Sequence, residues 1–255
     1  MVIPIHDRNP TRRVPIVTYA LIAANAVVFL ISPIVRGTAS GQAACRIQGF
    51  YLHWGALPEE LTTNQALPYT LGRAAGPGLC FKVARNYDKW PALSALTSMF
   101  VHSGWVHLLG NMLFLWVFGN NVEDRFGRVR FLFFYLAVGM AAAYSFAFTR
   151  PDSQAPLVGA SGAIAGVLGA YLVLYPRARV TSLLVIVPVR LPAWVVLAAW
   201  FILQAFDAYG AGADAGVAYL VHVFGFGFGV IVAAAVAIAA RGRRRVPPRP
   251  APGGW

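Results

Sequence analysis

Leu220-Val221-His222-Val223-Phe224-Gly225-Phe226-Gly227-Phe228-Gly229 is a run of hydrocarbon interrupted by a single imidazole. A second run, Gly159-Ala160-Ser161-Gly162-Ala163-Ile164-Ala165-Gly166, holds a single hydroxyl. A nucleophilic or ionisable side chain inside a membrane span costs free energy that plain packing would avoid, so it marks a functional site. These two runs set the reading of the whole chain: spans that carry chemistry.

Composition agrees. The chain has 255 residues, is 58% hydrophobic and 12% charged, and has a mean hydropathy of +0.61, where soluble domains have roughly 45–50% apolar and about 25% charged residues. Apolar segments at 14–35, 98–118, 129–148, 157–175, 191–206 and 217–240 mostly approach the ~20 residues that cross the hydrocarbon core. The expected fold is an all-α, multi-pass membrane protein with six transmembrane helices. Its parts are an N-terminal segment 1–13, one helical domain 14–240 with a long loop 36–97, and a basic, Pro-rich tail 241–255 read as disordered. No internal repeat is visible.

Fourteen of the 21 Lys and Arg residues fall at 8–13, 125–130, 177–190 and 241–249, all on one side of a six-span chain. The positive-inside rule makes that side, and both termini, cytoplasmic. The net charge of +12 therefore faces an anionic leaflet and no nucleic acid partner is inferred. The first segment is too long for the ~7–15 residue core of a signal peptide and reads as a retained helix. Cys45 and Cys80 both fall in the loop 36–97, as a bridge or as two free thiols. The Gly-rich connection 207–216 suits either a lid or an ordinary turn.

With this topology, spans two, four and six all enter from the exterior face. Ser161 then lies about four residues, ~6 Å, inside its span and His222 about five residues, ~8 Å. Gly162 and Gly166, and likewise Gly225 and Gly229, are pairs one helical turn apart that let helix backbones come close beside these two residues; Gly159 opens the serine stretch. His102, His107 and Asn111 follow the spacing HxxxxHxxxN, which puts His107 and Asn111 on one helix face with hydrogen bonds to donate. A zinc site is the rival reading of those histidines. The sequence has no HExxH and no acidic residue beside them, so no metal and no cofactor is expected.

At these residues the chain resembles the rhomboid family of intramembrane serine proteases. GASG around Ser161, HxxxxHxxxN, His222 followed by Gly225 and Gly229, and Gly119-Asn120-Asn121-Val122-Glu123-Asp124-Arg125-Phe126-Gly127 carry the resemblance. It implies a six-helix bundle of rhomboid type and cleavage of single-span or other membrane proteins near the exterior face. Ser161 would be the nucleophile, His222 the general base, and Asn111 with His107 the oxyanion donors. No acidic residue lies in the spans to orient the imidazole, and Asp207 and Asp214 stand at span ends, so a dyad is expected. Two departures stand out: a Trp-Arg pattern is replaced by Trp90-Pro91 and following residues, and the aromatic ring that some members place one turn after the serine is Ala165. A non-catalytic binder of membrane clients and a transporter are the alternative readings. Nineteen Arg against two Lys point to a GC-rich prokaryotic source, hence an inner or plasma membrane; oligomeric state has no sequence signal.

Overall fold

The computed structural model describes residues 2–37, 41–68, 70–76, 79–83, 89–184, 186–210 and 219–245. The tail from 246 and the loop 211–218, with Asp214, lie outside them, as does the side chain of Asp207. Every one of the six apolar segments overlaps a helix: α1 (Ile16–Ile31), α5 (Trp105–Phe126), α6 (Arg128–Thr149), α7 (Ser161–Leu174), α8 (Ala193–Gly210) and α9 (Tyr219–Arg245). Arg128–Thr149 and Tyr219–Ala240 are long and apolar enough to cross a membrane. Pro91–Phe100 and Trp105–Phe126, bent by 85°, make a third candidate if taken as one broken span, whereas Ile16–Ile31, Ser161–Leu174 and Ala193–Phe206 are apolar but shorter.

The all-α expectation is corrected by two small sheets. β1 (Val2–Asp7), β4 (Arg179–Leu184) and β5 (Val187–Pro192) form an antiparallel sheet in the order β1-β4-β5, and β2 (Thr70–Gly76) pairs with β3 (Leu79–Val83). β4 alternates burial with period two, Val180 and Ser182 inward and Thr181 between them, as a strand must. Its branched residues suit that geometry, and the flanking arginines had made the segment read as a span connector. Asp7 fixes β1 to the helices: its Oδ2 accepts from Asn121 Nδ2 and from Tyr171 OH, both at 2.7 Å.

The loop 36–97 holds α2 (Gly41–Trp54), α3 (Pro58–Thr63), the β2–β3 hairpin and α4 (Pro91–Thr97). Cys45 is disulfide-bonded, which decides between the two readings of the thiols. Where the Trp-Arg pattern is missing, a buried ion pair organises the chain: Lys89 Nζ lies 2.5 Å from Glu60 Oε2 and donates to the carbonyls of Leu52 and Gly55 at 2.8 Å each. The ammonium thereby satisfies carbonyls at the α2 C-terminus that no helical N–H can reach. Glu60 Oε1 in turn accepts from Leu67 N at 3.0 Å.

A long-range carboxylate starts α1. Glu123 Oε1 accepts from Val17 N at 3.0 Å, and Oε2 accepts from Thr18 N and Thr18 Oγ1 at 2.7 Å, satisfying first-turn donors and matching the positive helix end. Glu123 belongs to α5, which runs through the whole stretch Gly119–Phe126 and stops only at Gly127. Gly127 has φ +83°, a backbone state that other residues adopt at a cost, and it breaks α5 from α6.

The core places α7 at the centre. Ala163, Ala165, Val167, Leu168, Ala170 and Tyr171 are all buried to 1% exposure or less. A Cβ on Gly229 would fall on the carbonyl of Gly166, and one on Gly225 on the carbonyl of Gly162. Backbone touches backbone along the α7–α9 seam, and that closeness sets the position of His222.

Candidate active site

Ser161 is the first residue of α7, and the first helical hydrogen bond runs from Ile164 N to the carbonyl of Ala160. The N–H groups of Ser161, Gly162 and Ala163 therefore have no acceptor within the helix and stand at its positive end. His222 lies in the first turn of α9. Its Nε2 is 2.7 Å from Ser161 Oγ, and both residues are half-buried.

The imidazole is held from its other side by a residue the sequence reading passed over. Gln204 of α8 presents Oε1 to His222 Nδ1 at 2.5 Å. A carbonyl oxygen only accepts, so Nδ1 carries the hydrogen and the Nε2 lone pair is left to face the serine hydroxyl. Trp200, tilted 35° at 6.1 Å, and Tyr219, edge-on at 6.3 Å, flank the ring. These residues take the place that Ala165 leaves empty of aromatic support. The signal for Gln204 was present: an amide inside the apolar segment 191–206 breaks the same rule as Ser161 and His222.

His107 and Asn111 sit in the first two turns of α5, because the helix starts at Trp105 and not at 98 as the span boundary suggested. That later start makes His107 the third residue of its helix. Gly159, with φ +120°, brings its backbone against them: a Cβ there would stand 2.7 Å from His107 Nε2 and 3.7 Å from Asn111 Nδ2. Only glycine combines that φ with that approach. Its N–H donates to the carbonyl of Ser98 at 2.9 Å, which ties the loop before α7 to the turn before α5.

Ser103, also passed over, sets the tautomer of His107. The Ser103 backbone N–H donates to His107 Nδ1 at 3.3 Å, with Ser103 Oγ 3.0 Å away. Nδ1 is thus an acceptor and Nε2–H a donor, directed to the Gly159 side. Asn111 Nδ2 is buried without a partner. His102, 0% exposed, packs edge-on to His107 with ring centroids 5.0 Å apart. A hydroxyl–imidazole pair therefore stands beside two unspent N–H donors and the open start of a helix, an arrangement able to deprotonate an alcohol and to receive a negative oxygen.

Residues 89–239, more than half of the chain, match the Rhomboid domain. The chain is 47% identical over 78 residues to "Rhomboid protease GluP" of Bacillus subtilis, covering 30% of this chain and 15% of that protein. It is 36% identical over 111 residues to "Rhomboid protein 1, mitochondrial" of Saccharomyces cerevisiae, covering 42% and 32%. It is 27% identical over 154 residues to "RHOMBOID-like protein 5" of Arabidopsis thaliana, covering 60% and 48%. The matched stretches span less than half the length of each of these relatives. With the domain match over most of the helical region and integral membrane character in its helices, the chain belongs to the rhomboid family.

Proposed function

We propose that this chain is an intramembrane serine endopeptidase that cleaves membrane-spanning segments of other proteins near the exterior face. The observation that carries the reading is the 2.7 Å approach of His222 Nε2 to Ser161 Oγ across the α7–α9 seam. His222 takes the hydroxyl proton as Oγ attacks the scissile carbonyl carbon. His107 Nε2–H, Asn111 Nδ2 and the Ser161 N–H donate to the oxyanion. His222 then passes the proton to the leaving amine, and water hydrolyses the acyl-enzyme. No metal or organic cofactor has a part in these steps.

The reading includes six spans with both termini cytoplasmic, residues 14–240 as the protease domain between a cytoplasmic N-terminal segment and a basic tail, and a prokaryotic inner or plasma membrane. Arginine placement and composition support it. Substrate reaches the site laterally from the bilayer and presents extended backbone, which favours segments weakened by Gly or Pro.

The test uses purified wild type, Ser161→Ala and His222→Ala with a panel of single-span reporters and a serine-directed fluorophosphonate. Cleavage and labelling in wild type, lost in Ser161→Ala and reduced at least ~10²-fold in His222→Ala, are the expected results. Intact reporters and an unlabelled Ser161 would make the protein a binder of membrane clients.

A further inference from the structure

At the opposite end of the helices from Ser161 lies a cavity of about 810 Å³ between the segment leading into α1 and the C-terminal ends of α5, α7 and α9. We infer that it binds the phosphate-bearing headgroup of an anionic glycerophospholipid. Arg12, Arg13 and Arg125 line it with one carboxylate, Asp124, so three positive charges against one negative leave a surplus of two. Asp124 already accepts the backbone N–H of Arg12 at 3.2 Å. Among the described residues the only side-chain ion pair is Lys89 with Glu60, so all three guanidiniums are available to a ligand. Guanidinium forks match phosphate oxygens in pairs.

The opposite wall decides between a lipid and a free anion. Val173 and Leu174 from the last turn of α7, and Ala237 and Ala240 of α9, close the cavity with hydrocarbon. Beside Ala237 on the same helix, Val236 and Ile238 are 37% and 69% exposed, on a helix long and apolar enough to span a bilayer. The cavity therefore joins a cationic wall to a surface that acyl chains cover. An inorganic anion would use only the first; a phospholipid uses both. α9 continues to Arg245. The inference depends on membrane embedding and not on proteolysis.

The test is native mass spectrometry of the full chain with phosphatidylglycerol or phosphatidylcholine, and with inorganic phosphate as competitor. Wild type should hold phosphatidylglycerol at least tenfold more tightly than phosphatidylcholine and keep it in millimolar phosphate. Arg12→Gln/Arg13→Gln/Arg125→Gln should lose at least tenfold in affinity. Arg177→Gln/Arg179→Gln/Arg190→Gln, which removes the same charge outside the cavity, should stay within threefold of wild type. Equal loss in both triple variants means diffuse surface charge, and displacement by inorganic phosphate means an ion site; either overturns the inference. Ala240→Trp fills the cavity with every arginine kept, so retained tight binding in that variant also overturns it, even if the arginine variant fails to fold.

Discussion

Gln204 Oε1 and Ser161 Oγ contact opposite nitrogens of the same imidazole, at 2.5 Å from Nδ1 and 2.7 Å from Nε2 of His222. An amide thus occupies the position that a carboxylate fills in a triad, and it fixes the tautomer without placing a charge in hydrocarbon. If His222 is the general base, Gln204→Leu lowers kcat by about 10–100-fold, a part of the ~10²–10⁴ that such a base supplies, and leaves KM unchanged. Gln204→Glu keeps an acceptor at Nδ1 and restores most of the rate. Steady-state cleavage of a detergent-solubilised reporter measures both. Equal rates in Gln204→Leu and wild type would show that ring orientation is set by Trp200 and Tyr219 alone.

Asn111 offers a different separation of folding from chemistry. Its Nδ2 is buried with no acceptor, and an unpaired buried donor burdens the folded state by about 1–3 kcal/mol. A group reserved for the oxyanion carries such a burden until substrate arrives. Asn111→Ala should therefore leave the thermal midpoint unchanged or raised while kcat falls about 10²–10³-fold. Thermal scans and initial rates on one preparation check this. A lowered midpoint with full activity would assign Asn111 to packing.

The sequence held much of this site because its parts are polar atoms in apolar runs, which hydropathy exposes directly. Ser161, His222, His107 and Asn111 all stand out on that ground. Gln204 meets the same criterion, but an amide neither ionises nor attacks, and its role shows only in its contact with His222. Glu123 capping α1 and Asp7 pinning β1 to Asn121 and Tyr171 join residues more than a hundred positions apart. No periodicity carries such a pairing. The sheets escaped for a related reason: β1 and β4 are six residues each, flanked by arginines that also mark span ends, and only their pairing makes them strands.

Asp7 predicts a pH dependence. Burial raises its carboxyl above the usual carboxylate range, against the opposing pull of the Tyr171 hydrogen bond and of His6. The folded chain then holds a proton that the unfolded chain has already released, so this site's contribution is fully present below the unfolded value and declines as pH rises through the folded one. Asp7→Asn removes that segment of the pH–stability curve while keeping an acceptor for Asn121 and Tyr171. Thermal midpoints of the two proteins between pH 4 and pH 7 should diverge, wild type falling relative to the variant as pH rises, and parallel curves would show that Asp7 does not titrate there.

The seam that carries His222 to Ser161 gives a paired prediction. The atoms nearest to a methyl on Gly229 are all Gly166 backbone, and backbone cannot swing aside as a side chain can; a methyl on Gly227, two residues away on the same helix, meets nothing within 4 Å. Gly229→Ala must push α9 off α7, at a cost of about 1–3 kcal/mol or more for an overpacked contact. The push also lengthens the hydroxyl–imidazole bond, so fluorophosphonate labelling of Ser161 should fall with stability. Gly227→Ala escapes the clash and exchanges glycine for a better helix former, worth up to ~1 kcal/mol in the opposite direction. Midpoints and labelling rates of the two variants should therefore move apart in sign. If both variants gain stability alike, helix propensity and not backbone contact governs the seam, and the placement of His222 must be sought in α8.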